Sequence, residues 1–280
     1  METEGREHGP RPLEEPASVG DRRLDGVARL LAVIDRLRAP SDGCPWDLEQ
    51  TVESLAPGLI EEAFESVEAI EAGKDGAVVE ELGDLLMGIG LIARIASEEG
   101  RFDLGDIGDA VTEKLVRRHP HVFGETRVSG TGEVLANWEK IKRNEREDAE
   151  TDASALAGVP KALPALQRAD RIGAKAISAG FRWSDARGAL AKLEEEVAEL
   201  EAEMERGDRD AIERELGDVL MAGALLGRYL GVDPEGATRA AVRRFEARFR
   251  AMEARLDAGF EGLDEAALLQ AWEAAKERST

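Results

Sequence analysis

The chain has 280 residues, a formal charge of −22 and aromatic side chains at only 4%. So acidic a surface excludes a nucleic-acid backbone as partner, because phosphates need concentrated Lys and Arg. The single Cys44 rules out an internal disulfide framework and fits a reducing cytoplasm. No apolar run reaches membrane-spanning length, so no membrane association is expected, and residues 1–20 lack the apolar core of a signal peptide. Ala, Leu, Glu and Arg dominate while β-branched runs of strand length are missing, so the expected fold is all-α. The length leaves room for two domains.

In chain order, residues 1–21 mix proline and charge and read as a disordered tail. Val27, Leu30, Leu31, Ile34 and Leu37 make the apolar stripe of a helix over 25–38. The run Ala39-Pro40-Ser41-Asp42-Gly43-Cys44-Pro45-Trp46-Asp47 reads as a turn-rich loop. Two acidic helices follow over 52–72 and 77–98, broken at Gly73-Lys74-Asp75-Gly76. A helix over 106–118 ends in Arg117-Arg118 and is stopped by His119-Pro120-His121, which reads as loop and not as a metal site, since no Cys or third His is near. A helix over 135–146 closes an N-terminal domain of residues 22–146, and 147–160 reads as a linker.

The order then repeats in a C-terminal domain, residues 161–280: helices over 163–179, 187–206, 209–230, 235–257 and 264–278, with Gly180-Phe181-Arg182-Trp183-Ser184-Asp185 answering the Trp46 loop. The repeat is legible residue by residue. Glu61, Glu62 and Glu65 are followed by Glu81-Leu82-Gly83-Asp84; 134 positions later stand Glu195, Glu196 and Glu199, then Glu215-Leu216-Gly217-Asp218. Trp138 and Lys142 recur at the same offset as Trp272 and Lys276.

Residues three or four apart share one side of a helix, so each half gathers its carboxylates from two helices. Glutamate runs are ordinarily solvated faces. Here Glu-x-x-Asp lies against apolar residues in both copies, Leu85-Leu86-Met87 and Val219-Leu220-Met221, where an unpaired carboxylate is costly. A hard divalent cation with oxygen ligands resolves the repulsion, which points to Mg²⁺ or Mn²⁺. Gly83 and Gly217 each cost about 1 kcal/mol relative to alanine in a helix, and their retention suggests a close approach by a neighbouring helix or ligand. Each half adds cations on a separate helix and a Trp with a Lys four residues on. Acids for a metal, cations for phosphate oxygens and an aromatic for a base suit a metal–polyphosphate carrying a nucleobase. Phe181, Trp183 and Trp272 are compatible with a base pocket.

These residues resemble the MazG family of nucleoside triphosphate pyrophosphohydrolases in its two-domain bacterial form. Supporting stretches are Gly43-Cys44-Pro45-Trp46-Asp47, Arg117-Arg118-His119-Pro120-His121-Val122-Phe123 and Arg244-Phe245-Glu246-Ala247-Arg248-Phe249, and the likeness spans 24–278. It implies two tandem helical-bundle domains, a homodimer, and Mg²⁺-dependent cleavage of NTPs or dNTPs between the α and β phosphates to a monophosphate and pyrophosphate. Carried over, Glu196, Glu199, Glu215 and Asp218 are metal ligands, with Glu62, Glu65, Glu81 and Asp84 their N-terminal counterparts. Lys192, Arg244, Arg248, Trp272 and Lys276 bind nucleotide, with Lys114, Arg118, Trp138 and Lys142 as counterparts. Glu195 and Glu196 are the catalytic candidates, Glu195 for orienting or deprotonating water. The C-terminal half is the expected catalytic one, and Gly58 in place of Lys192 agrees with that. The alternatives are a narrow-specificity all-α pyrophosphohydrolase of dUTPase-like kind and a non-catalytic helical dimer that binds nucleotide or metal.

Overall fold

A computed structural model describes residues 20–148, 154–256, 259–260 and 262–276. Most of the expected tail and part of the expected linker lie outside the described residues. All regular structure among the described residues is helical, and the chain divides into two compact units between Asp148 and Ala149.

The first unit holds α1 (Arg22–Leu37), α2 (Pro45–Glu49), α3 (Val52–Ala72), α4 (Asp75–Glu98), α5 (Leu104–Arg118), α6 (Pro120–Phe123) and α7 (Thr131–Asp148). Its centre is the α3–α4 hairpin with α1 packed on α4. Thr51 opens α3 through a capping box with Ser54, and Gly73 closes it at φ 67°, a left-handed turn that glycine adopts without steric cost. The core is small: Ile34, Leu91 and Ile95, surrounded by Leu30, Leu31, Val52, Leu55 and Met87. Gly90 lets α1 approach, since a Cβ there would lie 2.7 Å from Ile34 Cδ1.

The second unit repeats the plan with α8 (Ala165–Ser178), α9 (Ala186–Arg206), α10 (Arg209–Tyr229), α11 (Pro234–Glu253) and α12 (Glu265–Lys276). α9 and α10 form the hairpin, turning at Gly207 with φ 74°, and α8 packs on α10. Asp185, Asp208 and Asp233 cap α9, α10 and α11 by accepting from first-turn amides, as N-cap aspartates do.

Three expectations need correction. Residues expected as loop form the short helices α2 and α6; each begins with a proline at its first position, where the missing N–H has no intrahelical partner to lose. Gly83 and Gly217 face open space, with nothing within 4 Å of a Cβ built on either, so neither is required by packing within its unit. Asp84 and Asp218, expected against a core stripe, are exposed, and of the clustered acids it is Glu196 that is buried, at 8% exposure. The apolar stripes of the hairpins are also largely uncovered within each unit: Ile60, Phe64, Leu82 and Leu86 in the first, Val197, Met204, Leu216 and Leu220 in the second.

Candidate active site

Each hairpin brings three carboxylates together. Ligand oxygens of Glu62, Glu81 and Asp84 lie within 4.8 Å of one another, and so do those of Glu196, Glu215 and Asp218. The geometry follows from the sequence. α3 and α9 contribute one glutamate each, and α4 and α10 contribute two acids three residues apart, on one face. Glu65 and Glu199 stand one turn further along and are exposed.

The two clusters differ electrostatically. In the first unit desolvation pushes the Glu62 carboxyl above the usual carboxylate range, with Asp84, Glu65, Glu81 and Glu61 adding to the effect. Glu81 is raised likewise, by desolvation and then by Glu65 and other acidic neighbours. The main contributions to both shifts all act upward. In the second unit Lys192 reaches forward along α9, placing Nζ 2.8 Å from Glu195 Oε1 and 2.8 Å from Glu196 Oε1. Those hydrogen bonds raise the lysine well above its ordinary value. Desolvation and Glu196 raise Glu199, a shift that Lys192 opposes.

Beside the second cluster lies a pocket of about 190 Å³. Lys192, Glu196 and Asp218 line its charged part; Phe181 and Trp183, from the α8–α9 loop, and Ala189, Met221, Ala222 and Leu225, from the hairpin, line the rest. Ala189 leaves room for the pocket where the first unit has a larger residue. By the repeat offset Ala189 answers to Leu55, Ala222 to Gly88 and Lys192 to Gly58, and Leu55 belongs to the packed cluster around Ile34.

The remaining candidates are not among the residues lining this pocket. Arg244 is exposed on α11, and Arg248 is half-buried there with no hydrogen-bond partner for its Nε among the described residues. Trp272 packs on Phe245 at 5.0 Å between ring centroids, within an aromatic group that continues through Phe249 to Phe260. Lys276 pairs with Glu273 one turn back. In the first unit Arg117 and Arg118 both bind Glu145 of α7, at 2.7 and 2.6 Å. Lys114 is exposed on α5, Trp138 is half-buried on α7, and the Lys142 side chain lies outside the described residues. His119 Nδ1 is 2.6 Å from Leu115 O at the end of α5. Of the apolar pocket residues, Met221 was legible beside Asp218, while Ala189, Ala222 and Leu225 carried no sequence signal of their own; the Gly-Phe-x-Trp loop did.

Comparison with known proteins decides the family. The MazG nucleotide pyrophosphohydrolase domain matches residues 50–123 and again 186–250, the two hairpins with their following helices. A nucleoside triphosphate pyrophosphohydrolase of Escherichia coli (strain K12) is 41% identical over 258 residues, covering 90% of this chain and 98% of that protein. This chain belongs to the MazG family. The nucleoside triphosphate pyrophosphohydrolase/pyrophosphatase MazG of Thermotoga maritima is 42% identical over 224 residues, 80% of this chain and 84% of the relative. A nucleoside triphosphate pyrophosphohydrolase of Mycobacterium tuberculosis matches a shorter stretch, 35% over 170 residues, 58% of this chain and 50% of its own length. The doubled match agrees with the doubled acidic hairpin, and both copies of the MazG domain here retain all three clustered carboxylates.

Proposed function

We infer that this MazG-family chain is a nucleoside triphosphate pyrophosphohydrolase that hydrolyses the α–β anhydride bond of NTPs and dNTPs, and that the reaction takes place in the second unit. The observation carrying the assignment is the pocket there, which adjoins an acidic triad, a lysine and an aromatic wall at once.

The donor set fits a hard cation. Three carboxylate groups whose oxygens approach within 4.8 Å, with no sulfur or imidazole donor, suit Mg²⁺, and Mn²⁺ as a substitute. Glu196, Glu215 and Asp218 would hold it, with Glu199 at the edge. When bound, the metal supplies charge neutralisation at the polyphosphate and lowers the pKa of water. The chain's own residues do the rest. Lys192, at the junction of acids and pocket, binds phosphate oxygens; Arg244, Arg248 and Lys276 are assigned further phosphate contacts, and Trp272 a nucleotide contact. Glu195, exposed beside Lys192, orients the attacking water and accepts its proton. The first unit keeps its acids but carries Gly58 and Leu55 where the second has Lys192 and Ala189. We assign it metal binding through Glu62, Glu65, Glu81 and Asp84, with Lys114, Arg118, Trp138 and Lys142 as its vestigial nucleotide set.

Uncovered apolar residues on both hairpins, Ile60 and Phe64 in one and Leu216 and Leu220 in the other, support a homodimer, which sedimentation equilibrium tests. Among the described residues no helix is long and apolar enough to cross a membrane, and the acidic charge supports a cytoplasmic enzyme with no nucleic-acid partner.

The deciding experiment is ion-exchange product analysis with several NTPs and dNTPs, with Mg²⁺ or EDTA, beside Glu196→Gln and Glu62→Gln. Monophosphate and pyrophosphate are expected, abolished by EDTA and by Glu196→Gln and retained in Glu62→Gln. Diphosphate with inorganic phosphate would overturn the reaction. Loss in Glu62→Gln as well would overturn its confinement to the second unit.

A further inference from the structure

We propose that Trp183 is the surface on which the substrate's nucleobase stacks, and that Tyr229 is the residue that positions it. This rests on the pyrophosphohydrolase reading and adds to it the group that recognises the base.

The pocket is small for its assigned ligand. Sites for drug-sized molecules occupy about 300–1,000 Å³, and this one holds about 190 Å³. It therefore accepts a ring system and not a whole nucleoside triphosphate; the sugar and phosphates extend out of it past its charged edge at Lys192, Glu196 and Asp218. Its apolar part offers two aromatic side chains, Phe181 and Trp183, and the indole N–H is the one neutral hydrogen-bonding group of those side chains. Recognition there is by stacking, which every base supports because every base has a π-face.

A stacking surface must be held still, and Trp183 is held from three directions. Its backbone N–H donates to Tyr229 Oη at 2.9 Å, and Tyr229 Oη donates to its carbonyl at 3.3 Å. The two rings meet edge-on at 6.1 Å, a favoured aromatic geometry. Gly188, in the first turn of α9, leaves the space that the Trp183 side chain takes, since a Cβ there would lie 3.1 Å from Trp183 Cβ. Phe181 leans edge-on against the indole at 6.3 Å, reached through Gly180 at φ 101°. Tyr229 is the only tyrosine in the chain and closes α10, the helix that carries Glu215 and Asp218. One rigid helix thus fixes both acids and the stacking surface, so base and metal are registered against each other.

The test separates base from phosphate. Wild type, Trp183→Leu, Trp183→Phe and Tyr229→Phe are compared in steady-state hydrolysis of ATP and in Mg²⁺-dependent binding of inorganic triphosphate, a probe without a base. Trp183→Leu should raise KM for ATP about tenfold or more, hold kcat, and leave triphosphate affinity unchanged. Trp183→Phe, which keeps an aromatic face, should recover to within about threefold of wild type. Tyr229→Phe retains the ring and loses both hydrogen bonds; KM should rise about threefold or more with kcat held and melting temperature little altered. Unchanged KM in Trp183→Leu, or equal weakening of ATP and triphosphate, would overturn the assignment. Wild-type protein that neither turns over nor binds ATP would instead remove the underlying pyrophosphohydrolase reading, and this inference with it.

Discussion

Replacing Ala189 by leucine separates a binding slot from a packing fault. Ala189 is 2% exposed and lines the pocket, and its counterpart Leu55 lies in the packed cluster of the first unit. The substitution adds three carbons. At about 0.8 kcal/mol for each buried CH₂, full accommodation would stabilise by about 2.4 kcal/mol. Overpacking a closed core costs about 1–3 kcal/mol, but here about 190 Å³ stands open beside the side chain, so the low end applies. The net expectation is a gain of about 1 kcal/mol, or about 2–4 °C in Tm. The same carbons take the space assigned to the base, so affinity for a non-hydrolysable α,β-methylene NTP should fall about tenfold or more, while Mg²⁺–triphosphate binding persists. Calorimetric unfolding and isothermal titration read both quantities. A stabilised variant that binds the analogue as wild type does would refute the slot. A variant several degrees less stable that loses both ligands alike would refute the account of the space.

Other perturbations address the charges. Glu62, Glu81 and Glu199 are raised by desolvation and by acidic neighbours; groups whose folded pKa is raised favour the native state while protonated and lose that contribution as pH climbs through the folded value. The metal-free protein should therefore be penalised at these clusters as pH rises above the ordinary glutamate value of 4.5, and the Tm gain on adding Mg²⁺ should widen from about pH 5 to about pH 7; a flat increment counts against metal at the clusters. Glu98 behaves oppositely, since hydrogen bonds from Arg38, itself 6% exposed, hold it below the usual range. Its contribution is present at neutral pH and lost on acidification, so Glu98→Gln should cost about 1–3 kcal/mol in urea unfolding at pH 7 and less in acid. Lys192→Met removes the cation shared by Glu195 and Glu196. Mn²⁺ alone, followed by electron paramagnetic resonance, should bind that variant more tightly than wild type, and nucleotide more weakly.

Much of this was legible in the residues because helices are local and the motif occurs twice. Apolar periodicity located the long helices, and a three-residue spacing predicted three of the four acids in each cluster, Glu65 and Glu199 falling outside. What stayed hidden depends on contacts distant in sequence. Glu196 and Asp218 are equally acidic in the sequence, yet only the former is buried, because the space around α9 is set by side chains from other segments. The pocket depends on the small residue at 189, where the first unit has Leu55, and one small residue in a helix carries no pattern of its own. The prolines at 45 and 120 read as breakers, although the same ring starts a helix when it falls on the first position.

The duplication also explains how one fold came to hold two different sites. Positions 55 and 58 on α3 correspond to 189 and 192 on α9, and in each pair the residues are three apart, on one face. In the first unit that face reads Leu and Gly, and Leu55 is drawn into the cluster of Ile34, Leu91 and Ile95. In the second it reads Ala and Lys, so the same face loses core volume and gains a cation beside the acids. Neither exchange alters the hairpin, its left-handed glycine turn or its three clustered carboxylates. Leaving apolar surface unburied costs stability. The first unit fills that face with Leu55. The second gives up packing there, and the face lines the pocket beside the clustered acids, where we place the base and the triphosphate.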